Sequence, residues 1–135
     1  MKIFIPGRGV GKGRPRISVN RRTGHVVRHT CPRYGAWKDA AIAHIKKLKL
    51  EKVPSPFTIN CTFINFFSSD ADNLIGSVAD ALVEAEVLDN DSSSNMTGCS
   101  GRFVKVKKKR NKDKIMGILV EISPSKIETV ELELI

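Results

Sequence analysis

The sequence predicts a single α+β domain, a mixed β-sheet packed against two main helices. Two segments repeat apolar residues at spacings of three and four, and several short segments alternate apolar with polar residues. The chain has 135 residues, and at that length about two-thirds of the surface exposed by the unfolded form can be buried without a disulfide or metal staple. Cys31, Cys61 and Cys99 include no CxxC pair and read as buried thiols of a reducing compartment. No apolar run approaches the ~20 residues that span a bilayer. The N-terminus loses its apolar character at Pro6, too early for a secretory leader. A soluble, cytoplasmic protein with no membrane partner is expected.

The elements follow in order. Lys2 to Ile5 forms a short first strand, and Pro6-Gly7-Arg8-Gly9-Val10-Gly11-Lys12-Gly13 is a basic loop whose glycines suit close backbone approach. Arg16 to Val19 and His25 to Arg28 flank Asn20-Arg21-Arg22-Thr23-Gly24, whose glycine suits the left-handed position of a hairpin turn. From Pro32 the period changes, with Tyr34, Trp37, Ala41, Ile45 and Leu48 marking a helix that Pro54 and Pro56 close off. Lys46, Lys47 and Lys49 sit near its C-terminal end, where the helix dipole favours cations. Phe57, Ile59, Cys61 and Phe63 alternate with polar residues as a half-buried strand whose phase slips near Ile64, as at a bulge. Leu74, Val78, Ala81, Leu82 and Ala85 predict a second helix from about Asn73 to Glu86, capped by Asp72 or a neighbour. A polar loop runs from Leu88 to Asn95. Phe103 to Val106 and Ile115 to Ile122 are expected to pair around the turn Asn111-Lys112-Asp113, and Val130 to Ile135 is expected as a last strand.

Charge divides the chain into three. The net charge is +9, but residues 1–50 carry thirteen basic side chains and one acid, residues 51–100 one and eight, and residues 101–135 nine and five. A basic frame around an acidic middle suits a polyanion held at both ends. Carboxylates facing phosphate repel it unless a divalent cation stands between, so the acidic middle either faces away from a nucleic acid or binds metal.

Several motifs fail on inspection. A P-loop ending at Gly11-Lys12 needs glycine where Pro6 stands and a hydroxyl where Gly13 stands. An EF-hand starting at Asp70 meets Leu74, Ile75 and Ala81 at positions that need other residues. His25 and His29 fall on a hairpin strand and its exit, well separated along an extended chain, and read as solvent-facing or phosphate-contacting rather than as zinc ligands.

The informative carboxylates are Asp70, Asp72 and Asp91. In an extended segment residues i and i+2 project to one side, so Asp70 and Asp72 at a strand's end can face one point. A helix of about 14 residues is roughly 21 Å long, whereas the loop from Val87 to Asp91 returns at most about 16 Å. Asp91 therefore meets the pair only if the helix is shorter or bent, or if the shared site involves a second subunit or an adjacent strand. Read singly, Asp72 is a helix cap, Asp91 a loop residue satisfying turn amides, and Asp80 a structural residue with a partner.

Lys12-Gly13-Arg14-Pro15-Arg16, Asp70-Ala71-Asp72-Asn73-Leu74, Asp80-Ala81-Leu82 and Leu88-Asp89-Asn90-Asp91-Ser92 together resemble the RusA family of Holliday-junction resolvases, over about residues 6–95. The resemblance implies a homodimeric α+β endodeoxyribonuclease of phage or prophage recombination and repair. It implies Asp70, Asp72 and Asp91 as catalytic carboxylates binding Mg²⁺ or Mn²⁺. Gly76 stands where family members commonly carry a lysine, and Asn90 where they carry the first of two adjacent aspartates. Lys105 or Lys107 could supply a cation instead. The same reading makes Lys12, Arg14 and Arg16 a clamp on backbone phosphates, with Lys105 and Lys107 on one strand face as further DNA contacts. A four-way junction has two-fold symmetry, which an isologous dimer matches with two sites. A basic DNA-binding module without chemistry and a metal-dependent nuclease acting on forks or flaps are the rival classes.

Overall fold

The computed structural model describes residues 1–13, 16–29, 31–90, 92, 94–107 and 115–134, without the side chains of Arg16, Arg28 and His29. The elements run β1 (Lys2–Pro6), β2 (Arg16–Val19), β3 (Val26–His29), α1 (Pro32–Lys47), β4 (Phe57–Ile64), α2 (Ala71–Glu84), β5 (Met96–Val104) and β6 (Gly117–Pro124). The fold is the expected α+β: one mixed sheet in the order β1-β6-β4-β5, two helices, and a separate β2-β3 hairpin.

β4 organises the sheet. Phe57, Ile59, Cys61 and Phe63 are buried on one face, while Thr58 and Thr62 are half-buried and Asn60 is exposed on the other. Ile3 and Ile5 of β1 and Ile118, Val120 and Ile122 of β6 continue the buried face, over which the two helices lie. α2 contributes Leu74, Ile75, Val78, Ala81 and Leu82, a stripe at helical spacing. α1 buries Tyr34, Ala41 and Ile45. Tyr34 Oη donates to Asp80 at 3.1 Å, and Lys38 pairs with Glu84 at 2.7 Å, tying α1 to α2.

Several expectations are corrected. β5 and β6 do not form a hairpin, because β4 lies between them, parallel to β5 and antiparallel to β6. The expected turn at 111–113 lies outside the described residues. β5 also begins at Met96, seven residues before the strand expected from Phe103. The irregularity in β4 falls between Phe57 and Thr58, and the alternation holds through Ile64 before Asn65 adopts a φ of 60°. α2 begins at Ala71 with Asp70 at the N-cap, so Asp72 lies in the first turn and is not the cap. Residues 130–134 form no strand, and Val130, Leu132 and Leu134 are exposed. Leu48 is exposed at the C-cap of α1. Of the cysteines only Cys61 is buried, while Cys31 and Cys99 are exposed. No helix among the described residues is long and apolar enough to cross a membrane.

Candidate nucleic-acid and metal site

β4 ends at Ile64, and the chain turns through Asn65 and the buried Phe66 to reach Asp70. Asp70 has extended backbone (φ −84°, ψ 151°) as a helix N-cap should, yet its carboxylate makes no capping hydrogen bond. Asp72 follows in the first turn, where the helix dipole favours negative charge. Both residues are exposed, and neither enters an ion pair among the described residues. Two oxygen-donor carboxylates at one helix end, spent neither on capping nor on a cation, fit a hard divalent ion as two of its ligands. Among the described residues no group of three His, Cys, Asp or Glu side chains converges.

The glycine-rich loop lies directly on this helix end. A Cβ on Gly9 would stand 3.1 Å from Phe66 and 3.2 Å from Leu74, and one on Gly11 would collide with Ser69 and come within 3.2 Å of Asn73. Ser68 Oγ donates to the Gly9 carbonyl at 3.0 Å, and the Arg8 guanidinium donates to the Phe67 carbonyl at 3.3 Å. The absence of side chains at positions 9 and 11 thus lets a basic loop settle against the segment that carries both aspartates. A depression of about 220 Å³ opens there between Arg8, Gly11, Arg33 and Ser69. Sequence reasoning missed Arg8 and Arg33 as site residues. Arg33 lies in the first turn of α1, far from the loop in sequence, and no local pattern signals that the fold brings the two together.

The expected DNA contacts are placed unevenly. Lys12 is exposed and pairs with Asp80 at 3.0 Å, which gives Asp80 the partners expected of it. Arg14 lies outside the described residues, and Arg16 opens β2 with its side chain outside them as well. Lys105 and Lys107 are exposed but lie beyond the end of β5, so they do not share a strand face. Burial together with the negative charge of Asp80 pushes the Tyr34 hydroxyl well above the usual phenol range.

Asp91 also lies outside the described residues; the described residues near it in sequence are Asn90, Ser92 and Asn95. Asn90 accepts from Ser92 N at 3.0 Å and from the side chain of Asn95 at 2.6 Å, and Asn95 O accepts from Phe57 N at 2.7 Å. Asn90 and Asn95 therefore adjoin the start of β4, whereas Asp70 follows its end. Eight strand residues span roughly 23 Å. α2 keeps its full 14 residues, so no shortened helix brings the two ends together within one chain. A depression of about 850 Å³ is at the far end as well, between Thr58, Ser94, Thr97 and residues 125–128. Its charged lining is one cation and one carboxylate, Lys126 and Glu128, which makes it a poorer candidate than the aspartate pair.

No protein-family model matches the chain, and no curated protein matches it.

Proposed function

We propose that this chain is a Mg²⁺-dependent, structure-specific endodeoxyribonuclease of the RusA type, acting as a homodimer that nicks opposed strands of four-way DNA junctions. The observation that carries the reading is the end of α2, where Asp70 occupies the N-cap without spending its carboxylate there and Asp72 follows in the first turn. The resemblance of Asp70-Ala71-Asp72-Asn73-Leu74 and the surrounding motifs to that family supplies the reaction class.

Asp70 and Asp72 would hold Mg²⁺, or Mn²⁺ in its place. When bound, the ion supplies an acidified water and neutralises charge developing on the phosphate. Arg8 and Arg33 line the depression that also touches Ser68 and Ser69, just before Asp70 in sequence, and in this reading they grip the phosphates on either side of the cut. Lys12, with Arg14 and Arg16 after it, extends that grip along the backbone. The Lys12–Asp80 pair is solvent-exposed on the lysine side, with 59% of that side chain accessible. Such a pair is worth about 1 kcal/mol or less, so Lys12 can exchange Asp80 for a phosphate at small cost. Asp91 is the third carboxylate in this reading. Its described neighbours Asn90 and Ser92 belong to the segment that meets the start of β4, the opposite end from Asp70, so in this reading the partner protomer supplies it, and each of two symmetric sites combines Asp70 and Asp72 of one copy with Asp91 of the other.

The test is incubation of the purified protein with a synthetic four-way junction and a matched linear duplex, with Mg²⁺ and with chelator. Paired nicks in the junction alone, dependent on Mg²⁺, are expected. Binding without cleavage under all conditions would instead mark a DNA-binding module, and cleavage confined to forks or flaps a nuclease of different specificity.

A further inference from the structure

We propose that Phe67 is a stacking platform for an unpaired base at the branch of the DNA substrate, with Lys105 meeting the phosphate of the same nucleotide; this rests on the nuclease reading above. A single exposed apolar side chain is ordinary on a protein surface. Phe67 differs in how it is held. Phe66 is 2% exposed and anchors the turn, while Phe67 beside it is 56% exposed. Its ring lies nearly parallel to Phe103, with centroids 5.6 Å apart and planes at 23°. Phe103 in turn packs against the fully buried Phe63 at 5.0 Å. The exposed ring is thus the outer member of an aromatic column rooted in the core, which fixes its orientation before any ligand arrives.

The surroundings are cationic. The Lys105 ammonium stands 5.6 Å from the Phe67 centroid, and Arg8 donates to the Phe67 carbonyl. A depression of about 260 Å³ lies between Asn65, Phe67, Lys105, Val106 and Lys107. Asn65 holds its walls together: Oδ1 accepts from Val106 N at 2.8 Å, while Nδ2 donates to Ile115 O at 2.5 Å and Val106 O at 3.3 Å. A rigid aromatic face ringed by cations suits a flat base with a phosphate attached, since each base has a face to stack and each phosphate draws an ammonium. Lys105 then exchanges its contact with the ring for one with phosphate. Phe67 precedes Asp70 by three residues, so a base held there sets which phosphate faces the carboxylates. Duplex DNA has no base free to stack, and Phe67 thereby favours branched over linear DNA.

A four-way junction carrying 2-aminopurine at the branch, titrated with protein in chelator, tests this without any cleavage. Quenching by the wild type is expected. Phe67→Ala and Phe67→Leu should abolish it and weaken junction binding by about tenfold, leave affinity for matched duplex within about twofold, and be rescued by Phe67→Trp. Unchanged junction affinity in both variants overturns the proposal. Equal loss on junction and duplex overturns it too, as does a shift in oligomeric state, which would make Phe67 a protein contact. Because chelator removes the chemistry, a wild type that quenches but never cleaves with Mg²⁺ would sink the nuclease reading and leave the stacking site standing.

Discussion

Asp80 accepts from the Tyr34 hydroxyl at 3.1 Å and faces the Lys12 ammonium at 3.0 Å, so one carboxylate links α1, α2 and the basic loop. The sequence marks Asp80 as a residue needing a partner but gives no sign which one, because Tyr34 is 46 positions away. Tyr34→Phe removes the donor and should cost about 1–2 kcal/mol at neutral pH, measured by urea unfolding. The pH dependence has a definite sign. Burial, reinforced by Asp80, keeps the folded-state hydroxyl protonated beyond its ordinary value of 10.0. Burial, with a smaller contribution from Cys99, likewise pushes the Cys61 thiol from 9.0 up to about 12. The unfolded chain therefore loses these protons first, so stability is whole below about pH 9 and falls as pH rises from there. Tyr34→Phe should make that alkaline fall shallower, and an identical fall in the variant would mean that Tyr34 does not contribute to it.

Helices were more legible than strand pairing. Leu74, Val78, Ala81 and Leu82 give α2 a stripe that only one period fits, and all four are buried. β5 was nearly silent, because Thr97-Gly98-Cys99-Ser100-Gly101 has neither β-branched enrichment nor alternation. It is an edge strand that leans on β4 and needs little apolar content of its own. The expected β5–β6 hairpin failed because neighbours in sequence usually pair, whereas here the strongly apolar β4 takes the position between them. The i, i+2 spacing of Asp70 and Asp72 supposed an extended segment, whereas α2 begins at Ala71, so Asp70 is extended and Asp72 already lies in the first helical turn. Arg8, Arg33 and Phe67 were not legible, since tertiary folding alone gathers them around the helix end. The contact between loop and helix gives a sharp test at this scale. In Gly11→Ala the new methyl collides with Ser69 and comes within 3.2 Å of Asn73, so the loop or the segment that leads into α2 must shift. We expect a stability loss of about 1–3 kcal/mol and a larger proportional loss of junction cleavage. Full retention of both would show that the loop's seat on α2 is not needed.

At the scale of the whole molecule, the separation of Asp70 from Asn90 and Asn95 makes a prediction about assembly. Mixed dimers of Asp70→Asn and Asp91→Asn chains should contain one site with both substitutions and one with neither, so mixing two inactive proteins should restore nicking of a single strand. If each site lies within one chain, every site in the mixture carries a substitution and no activity returns. The central claim is that Asp70 and Asp72 hold the metal, and it is tested most directly by changing each to Asn, which keeps volume and removes one negative charge. Junction cleavage in Mg²⁺ and junction binding in chelator would be measured side by side, with circular dichroism as the check on folding. Each variant is expected to lose cleavage by orders of magnitude while binding the junction as well as the wild type or better, because a charge that repels phosphate is gone. Near-normal Mg²⁺-dependent cleavage by both folded variants would contradict the account.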